Sequence, residues 1–472
     1  MFLIKQKNMG VLVRYPKRRP GRFFATAGAI ILFITWALRV RFEQVDPNMQ
    51  VQVTTWRSSP RIEDYFDHPS FDSEAIRSVC EDQKWDANTD TEVVFTCDNS
   101  VGELGEIRNS ILNCVRYTIL AGGSLVMPRI VVLKNSDRTV RRTGERKGLE
   151  YMFDINHFIE SLHLSCPQLR LYNDIEEVYE TLGPSRTWVL GLFPESLIEE
   201  EKIPSTGIQH PDRWRSQLYD WLGQIDTDVS PIGRHSQGPF IVDLGRSYLT
   251  FPIYSDGEPF ATAFGNILKF RPDARKLATI ILLRMAKKFG FELIESRDGA
   301  GPSNTDPYAS TTLEQAYFGV HLPVQKDSQG MLDPSGNNKQ TTAYLEQAVG
   351  ANLSIIYVAS GDAKQVEAFK KKAMLKGIAI VTKHDLLEDD DQLENLDWDQ
   401  QALVDFLVLL SASQFGGVAP SSFSWNVALK RHLFIGKSKE KHLDGALVFN
   451  DELSQIYGEP RSYPEFAACL WP

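Results

Sequence analysis

From about residue 91 onward, apolar residues follow two alternating rhythms. "TEVVFT" is a short run rich in β-branched and aromatic residues, and it predicts a strand. In "GELGEIRNSILNCVRYTILAGG", Ile107, Ile111, Cys114, Val115, Thr118 and Ile119 recur at helical spacing, and Gly122-Gly123 stops the helix. "SLVMPRIVVL" predicts one further strand, completing a strand–turn–helix–strand unit with glycine in its turn. "TWVLGLF" (187–193) and "FIVD" (240–243) are further runs of strand length. "RPDARKLATIILLRMAKKFG" predicts a helix, with Pro272 in the first turn, Asp273 at the positive end, and Lys287, Lys288 and Gly290 at the other end.

"SRDGAGPSNTDPY" is rich in turn formers and predicts a connection between domains. The alternation then resumes. "AYFGVHL", "LSIIYVAS", "IAIVT" and "QFGGVAP" read as strands. "TTAYLEQAV", "GDAKQVEAFKKKAMLKG", "DWDQQALVDFLVLLSAS" and "SSFSWNVALKRH" read as helices. Strands separated by helices of this length demand parallel crossovers. The expected fold is α/β, with two Rossmann-like domains facing a cleft, at residues 91–300 and 301–472. A chain of 472 residues fits two cores better than one.

The N-terminal region breaks this pattern. Residues 1–22 carry seven Lys or Arg and no acid, and residues 23–38 carry no charge. A basic tail at 1–22, a transmembrane signal anchor at 23–41 and a polar stem or linker at 42–90 are expected. Cleaved-signal and buried-helix readings compete. The charge-free run is short against the roughly 20 residues of an average span, but no small-residue cleavage site follows it. As an anchor it would leave the rest of the chain in the ER or Golgi lumen, as a single-pass type II protein.

The net charge is −10, so the basic tail hides −17 on the remainder. An acidic body repels phosphate backbones, which argues against nucleic acid as a partner. In a lumen, Cys80, Cys97, Cys114, Cys166 and Cys469 can form disulfides, and five leaves one over. No Cys/His ligand spacing suggests a metal. Asn352-Leu353-Ser354 is a glycosylation sequon against an apolar strand.

Three stretches could carry chemistry. In "GGVAPSSFSWNVALKR" a strand ends at Gly416-Gly417 and a helix starts near Ser421-Ser422. Its first N–H groups have no internal partner, which makes a phosphate site, or simply a capped helix start. In "VGELGEIRN", Gly102 and Gly105 sit in a strand–helix turn near Arg108 and Asn109, without the spacing of a dinucleotide or Walker loop. Asp397-Trp398-Asp399 imitates the DxD pair of metal-dependent glycosyltransferases. Its place at the head of a helix instead suggests capping.

Taken in order, these segments resemble the GDP-fucose O-fucosyltransferase family. "GELGEIRNSILNCVRYTILAGGSLVMPRI" looks like its Gly-rich turn, helix and "LVxP" strand, and "YMFDINHFIESL" like its "F-D-x-x-x-F-I" segment. "FGVHLP" stands where the family has a strand ending in "HLR". "DQQALVDFLVLLSASQFGGVAPSSFSWNVALKR" is similar to its C-terminal donor-binding segment. The resemblance implies a GT-B fold and an inverting transferase that takes GDP-fucose and needs no obligatory metal or other cofactor. It implies that His321 approaches the nucleotide, and that Asp405, Ser421, Ser422 and Phe423 hold its sugar and phosphates. It further implies that Gly102, Gly105, Glu106, Arg108 and Asn109 line the acceptor side. The family often has Asn at the position of Glu106, and a carboxylate there can act as general base.

Pro323 stands where the family has the arginine of "HLR". That arginine would neutralise the leaving diphosphate. Losing such a group typically costs on the order of 10²–10³ in rate, and proline has no N–H to offer. Either another cation (Lys326, Arg129 or Arg431) takes over, or the chain is an impaired pseudo-transferase that binds a glycan or a partner. The favoured expectation is a membrane-anchored glycosyltransferase moving a sugar from a GDP-sugar to a hydroxyl of a protein or small molecule.

Overall fold

The computed structural model describes residues 64–85, 92–136, 139–198, 207–229, 238–293, 312–323, 334–388, 391–433, 449–458 and 466–472. The basic tail, the apolar segment 23–41, the "SRDGAGPSNTDPY" connection and Lys326 lie outside the described residues. No helix among the described residues is long and apolar enough to cross a membrane. Residues 62–472 form one compact unit.

Its first sheet has strands β1 (Val93–Thr96), β2 (Ser124–Val126), β5 (Leu171–Tyr172), β6 (Leu190–Leu192) and β7 (Phe240–Leu244), in the order β5-β2-β1-β7-β6. Its second has β8 (Phe318–His321), β9 (Ile355–Ala359), β10 (Ala379–Val381), β11 (Gln414–Val418) and β12 (Ser454–Tyr457), in the order β10-β9-β8-β11-β12. Every pairing within both sheets is parallel. The helices are α1 (Glu74–Glu81), α2 (Leu104–Ala121), α3 (Ile155–Ser165), α4 (Ile175–Leu182), α5 (Pro211–Val229), α6 (Glu258–Phe264) and α7 (Pro272–Phe289). They continue as α8 (Pro334–Gly350), α9 (Ala363–Met374), α10 (Lys383–Leu386), α11 (Trp398–Leu410), α12 (Ser422–His432) and α13 (Phe466–Cys469). The alternation therefore yields the expected parallel α/β sheets.

The second sheet winds outward in both directions from its inner pair, β8 and β11, whereas in the first the chain runs outward from β1 through β2 to β5 and then lays down β6 at the opposite edge before β7 fills the place beside β1. Where strand order reverses, the loops leaving neighbouring strands part and open a crevice at the carboxyl ends, the usual ligand position in open α/β sheets. The two halves share one core. Helix α11 packs on α7 and α12 on α2, and one continuous apolar cluster runs from Val93 and Phe95 to Leu407 and Trp425.

Two expectations are corrected. "SLVMPRIVVL" is not one strand. It breaks at Pro128 into β2 and β3 (Arg129–Ser136), and β3 pairs antiparallel with β4 (Thr139–Gly148) as a separate ribbon. Proline cannot donate to a ladder, so the run bends out of the sheet there. Residues 64–85, expected within the stem, pack on the fold: Phe66 and Ile76 are buried, Asp64 pairs with Arg275 (2.9 Å), and Cys80 is bonded to Cys166. A second disulfide, Cys97–Cys114, joins the end of β1 to α2, and Cys469 is the buried free thiol among the described residues.

Candidate active site

A cleft lies at the carboxyl ends of the second sheet. It is lined by Gly102, Glu103 and Leu104 from the turn after β1, and by His321, Leu322 and Pro323 from β8. Ala359–Gly361 after β9, Lys383 after β10, Trp398, Asp399, Ala402 and Asp405 from α11, and Phe423 from α12 complete it. Gly102 has φ +129°, and a Cβ there would meet the Glu106 carboxylate, so the turn admits only glycine at that point.

His321 ends β8 against the start of α12. Its Nδ1 lies 2.8 Å from Ser424 Oγ, which also accepts the Val418 N–H (3.0 Å). In the tautomer in which the Ser424 O–H donates to Nδ1, the imidazole proton sits on Nε2. Burial pushes the His321 pKa down to about 3, so the ring is neutral and presents an N–H rather than a charge. The Phe423 ring lies 4.7 Å from it.

Ser421 is the N-cap of α12, its Oγ accepting the Ser424 N–H (3.3 Å). Ser422 is buried against Gly105, where a Cβ would approach the Ser422 backbone to 2.8 Å. The hydroxyls of this run thus support the turn. What remains for a ligand is the dipole and first N–H groups of a helix start beside His321.

Asp405 lies in the cleft wall as expected, held on both sides. Lys383 Nζ is 2.5 Å from its Oδ2, and Tyr357 donates to its Oδ1 (2.7 Å). Lys383 carries no motif or spacing that marks it along the chain. Asp397 caps α11 as foreseen, sharing a capping box with Gln400. Asp399 does more: Tyr151 Oη is 2.7 Å from its Oδ1, while its buried Oδ2 has no partner and burial raises its pKa. Asp399, Ala402 and Asp405 recur every three residues, so one helix face reaches the cleft. That spacing could have revealed Asp399.

Other expected residues lie elsewhere. Arg108 is buried and donates to the carbonyls of Gly265, Trp471 and Pro472, each at 2.6 Å. Asn109 is wholly buried and bonds the Cys469 carbonyl (2.8 Å) and the Trp471 N–H (2.8 Å). Both anchor the 466–472 segment instead of lining the cleft. Glu106 stands beside the cleft, its Oε2 accepting the Glu103 N–H (3.3 Å) and its Oε1 paired with Arg246 (2.8 Å). Arg246 in turn lines a second crevice, with Asn99, Val101, Arg146 and Phe193, at the carboxyl ends of the first sheet.

Of the cations that could replace an arginine at 323, Arg431 is excluded. It is fully buried and donates to the carbonyls of Leu410 and Leu453 (3.0 Å to the latter), which fixes it beneath the sheet. Arg129 is exposed at the start of the β3–β4 ribbon. Among the described cleft residues the only cation is Lys383, against Glu103, Asp399 and Asp405.

Solved structures similar in fold include POFUT1 in complex with GDP, 13% identical over 79% of this chain and 100% of that one, with a TM-score of 0.40. POFUT1 in complex with GDP-fucose is 12% identical over 79% and 99%, with a TM-score of 0.41. A mutant of Arabidopsis thaliana FUT1 in complex with GDP is 13% identical over 76% and 71%, with a TM-score of 0.37. No curated protein matches. The family model described as GDP-fucose protein O-fucosyltransferase matches residues 93–434, well over half of the chain. The chain belongs to the GDP-fucose protein O-fucosyltransferase family of glycosyltransferases.

Proposed function

We propose that this protein moves a sugar, fucose by family, from a GDP-sugar to a hydroxyl acceptor with inversion and without an obligatory metal. The carrying observation is the convergence of a helix start, a neutral His321 and the turn at Gly102 on one cleft at the strand-order reversal of the second sheet. The diphosphate would lie at the start of α12, with His321 Nε2–H donating to it. The acceptor would enter from the crevice of Asn99, Val101 and Phe193. Glu106 stands between the two, bonded on one side to the turn and on the other to Arg246, so it is the candidate base for the acceptor proton. The acceptor oxygen attacks the anomeric carbon, the bond to the diphosphate breaks, GDP departs, and the carboxylate takes the proton.

The two disulfides favour a lumenal setting, in keeping with a type II anchor at 23–41 in the Golgi or ER. A second reading has its own support: Pro323 and the acidic excess of the cleft favour a binding protein that has lost turnover. The deciding experiment measures GDP-fucose transfer and hydrolysis by the detergent-solubilised chain and by its Pro323→Arg variant. Turnover by the native chain supports the transferase. No native turnover, with activity gained by the variant, refutes it.

A further inference from the structure

Beyond its first 22 residues the chain is acidic, yet one later segment runs against that balance. Residues 129–148 hold seven Lys or Arg against two acids, and they form the antiparallel ribbon β3–β4. The Val131 N–H donates to the Ser100 carbonyl (2.9 Å) and Arg146 Nε to the Asp98 carbonyl (3.0 Å), so the ribbon is tied to the turn after β1. It thereby walls the crevice of about 440 Å³ at the carboxyl ends of the first sheet. There Arg146 meets Arg246, which follows β7, and Phe193, which follows β6.

Among the described residues the lining holds two arginines and no carboxylate. Arg129, two residues before Val131 on β3, falls on the same strand face, and both it and Arg146 are exposed. Three carboxylates stand outside the lining. Glu106 pairs with Arg246 (2.8 Å), Asp243 accepts from Thr96 (3.2 Å) and Asn99 (3.0 Å), and Asp98 faces Arg129 and Arg146. The charges balance, but of the charged groups only arginines reach the crevice. Glu106 takes one of the five N–H groups of Arg246, and Nε of Arg246 has no partner. An anion entering the crevice meets guanidinium forks, whose geometry matches a carboxylate.

Phe193 indicates what carries the anion. A Cβ on Gly245 would come within 2.6 Å of its ring, so glycine lets the ring pack against the end of β7, and it remains 58% exposed. An aromatic face carries partial negative charge and attracts the C–H face of a sugar ring. Because Arg246 touches Glu106, an anion held by Arg246 lies next to the hydroxyl that Glu106 would deprotonate. A uronic acid bears carboxylate, hydroxyl and apolar face on one rigid ring. An acidic peptide spreads them over separate flexible side chains.

We propose, resting on the transferase reading above, that the acceptor is an anionic glycan: a uronic acid residue whose carboxylate is held by Arg146 and Arg246, whose ring lies on Phe193, and whose hydroxyl faces Glu106.

Calorimetry on the solubilised full chain tests this with oligosaccharides of galacturonate, glucuronate and mannuronate. The controls are the same chains with their carboxylates reduced to primary alcohols, and a peptide of alternating Ser and Asp. At least one uronate chain should bind about 10-fold or more tighter than its reduced form, the scale of a charged hydrogen bond, and added salt should narrow the gap. Arg146→Gln, a change at an exposed position, should lose most of that preference at an unchanged melting temperature, while Arg146→Lys keeps part of it. Phe193→Ala should weaken acidic and reduced chains alike, by about 5-fold. Equal binding of acidic and reduced chains overturns the proposal, as does binding of none of them or a preference for the peptide. The two readings fail separately. Selective binding of a uronate chain that receives no sugar from GDP-fucose refutes the transferase and leaves the anion site standing. Transfer to the reduced chain as readily as to the acidic one refutes the anion site and leaves the transferase standing.

Discussion

His321 Nδ1 and Ser424 Oγ lie 2.8 Å apart, and that contact ties the end of strand β8 to the first turn of helix α12. Ser424→Ala removes the hydroxyl that fixes the ring and leaves the Val418 N–H without its acceptor. The expected result is about a 10-fold loss in kcat/KM. His321→Ala should lose on the order of 10²-fold, the scale of one donor to developing charge. Steady-state kinetics on both variants check this. A Ser424→Thr variant, which keeps the hydroxyl, should recover most of the first loss.

Stability should fall with acid, for a reason visible in three imidazoles, one buried and two half-buried. His68, His157 and His321 have pKa values lowered by burial to about 3, 4 and 3, and the charge of Lys269 opposes protonation of the first two. In the unfolded chain each titrates near 6.5. Between that value and the folded ones the unfolded state binds more protons, so the stabilisation present above about pH 6.5 is lost as pH falls toward 3–4. The rings of His68 and His157 are 4.8 Å apart, and Nδ1 of His157 has no partner. Melting temperature should drop progressively below pH 6.5, and His157→Gln should flatten the slope.

The Cys97–Cys114 bond spans the turn that carries Gly102, closing a loop of 17 residues between β1 and α2. A loop of that size is worth about 3 kcal/mol in the chain-entropy account. A Cys97→Ala/Cys114→Ala double variant should lose stability of that order in denaturant titration. It should also bind GDP more weakly, because the freed turn forms one wall of the cleft. Loss of the Cys80–Cys166 bond, which ties α1 to the end of α3 away from the cleft lining, should lower stability without that second effect.

Periodicity made the repeating strands and helices readable because each has one apolar rhythm over enough residues to stand out. It misread "SLVMPRIVVL" because both sides of Pro128 are apolar, and only the missing N–H at Pro128 marks the break. His321, Asp405 and Phe423 reach the cleft from positions that the family motifs marked. Lys383 was invisible: its partner lies 22 residues away on another helix, and an acidic run in between reads as solvated surface. Arg108 and Asn109 were misplaced for the converse reason. Polar residues near a glycine turn suggest a site, but α2 is buried on every side, so its polar side chains need internal partners.

Those partners make the last expectation sharp. Trp471 is fully buried among Phe251, Phe260 and Phe264. Asn109 accepts its N–H, and Asn113 Oδ1 accepts its indole N–H (2.7 Å). Arg108 and Asn426 donate to its carbonyl, so helices from both halves of the fold hold one segment. Trp471→Ala should destabilise by about 3–5 kcal/mol, the range for an aromatic removed from a core. Asn109→Ala leaves a buried N–H unpaired and should cost about 1–3 kcal/mol. If Asn109 serves packing, the folded variant should bind GDP and turn over acceptor as the native chain does, with only its melting temperature lowered. A raised acceptor KM at unchanged stability would instead return Asn109 to the acceptor side of the cleft.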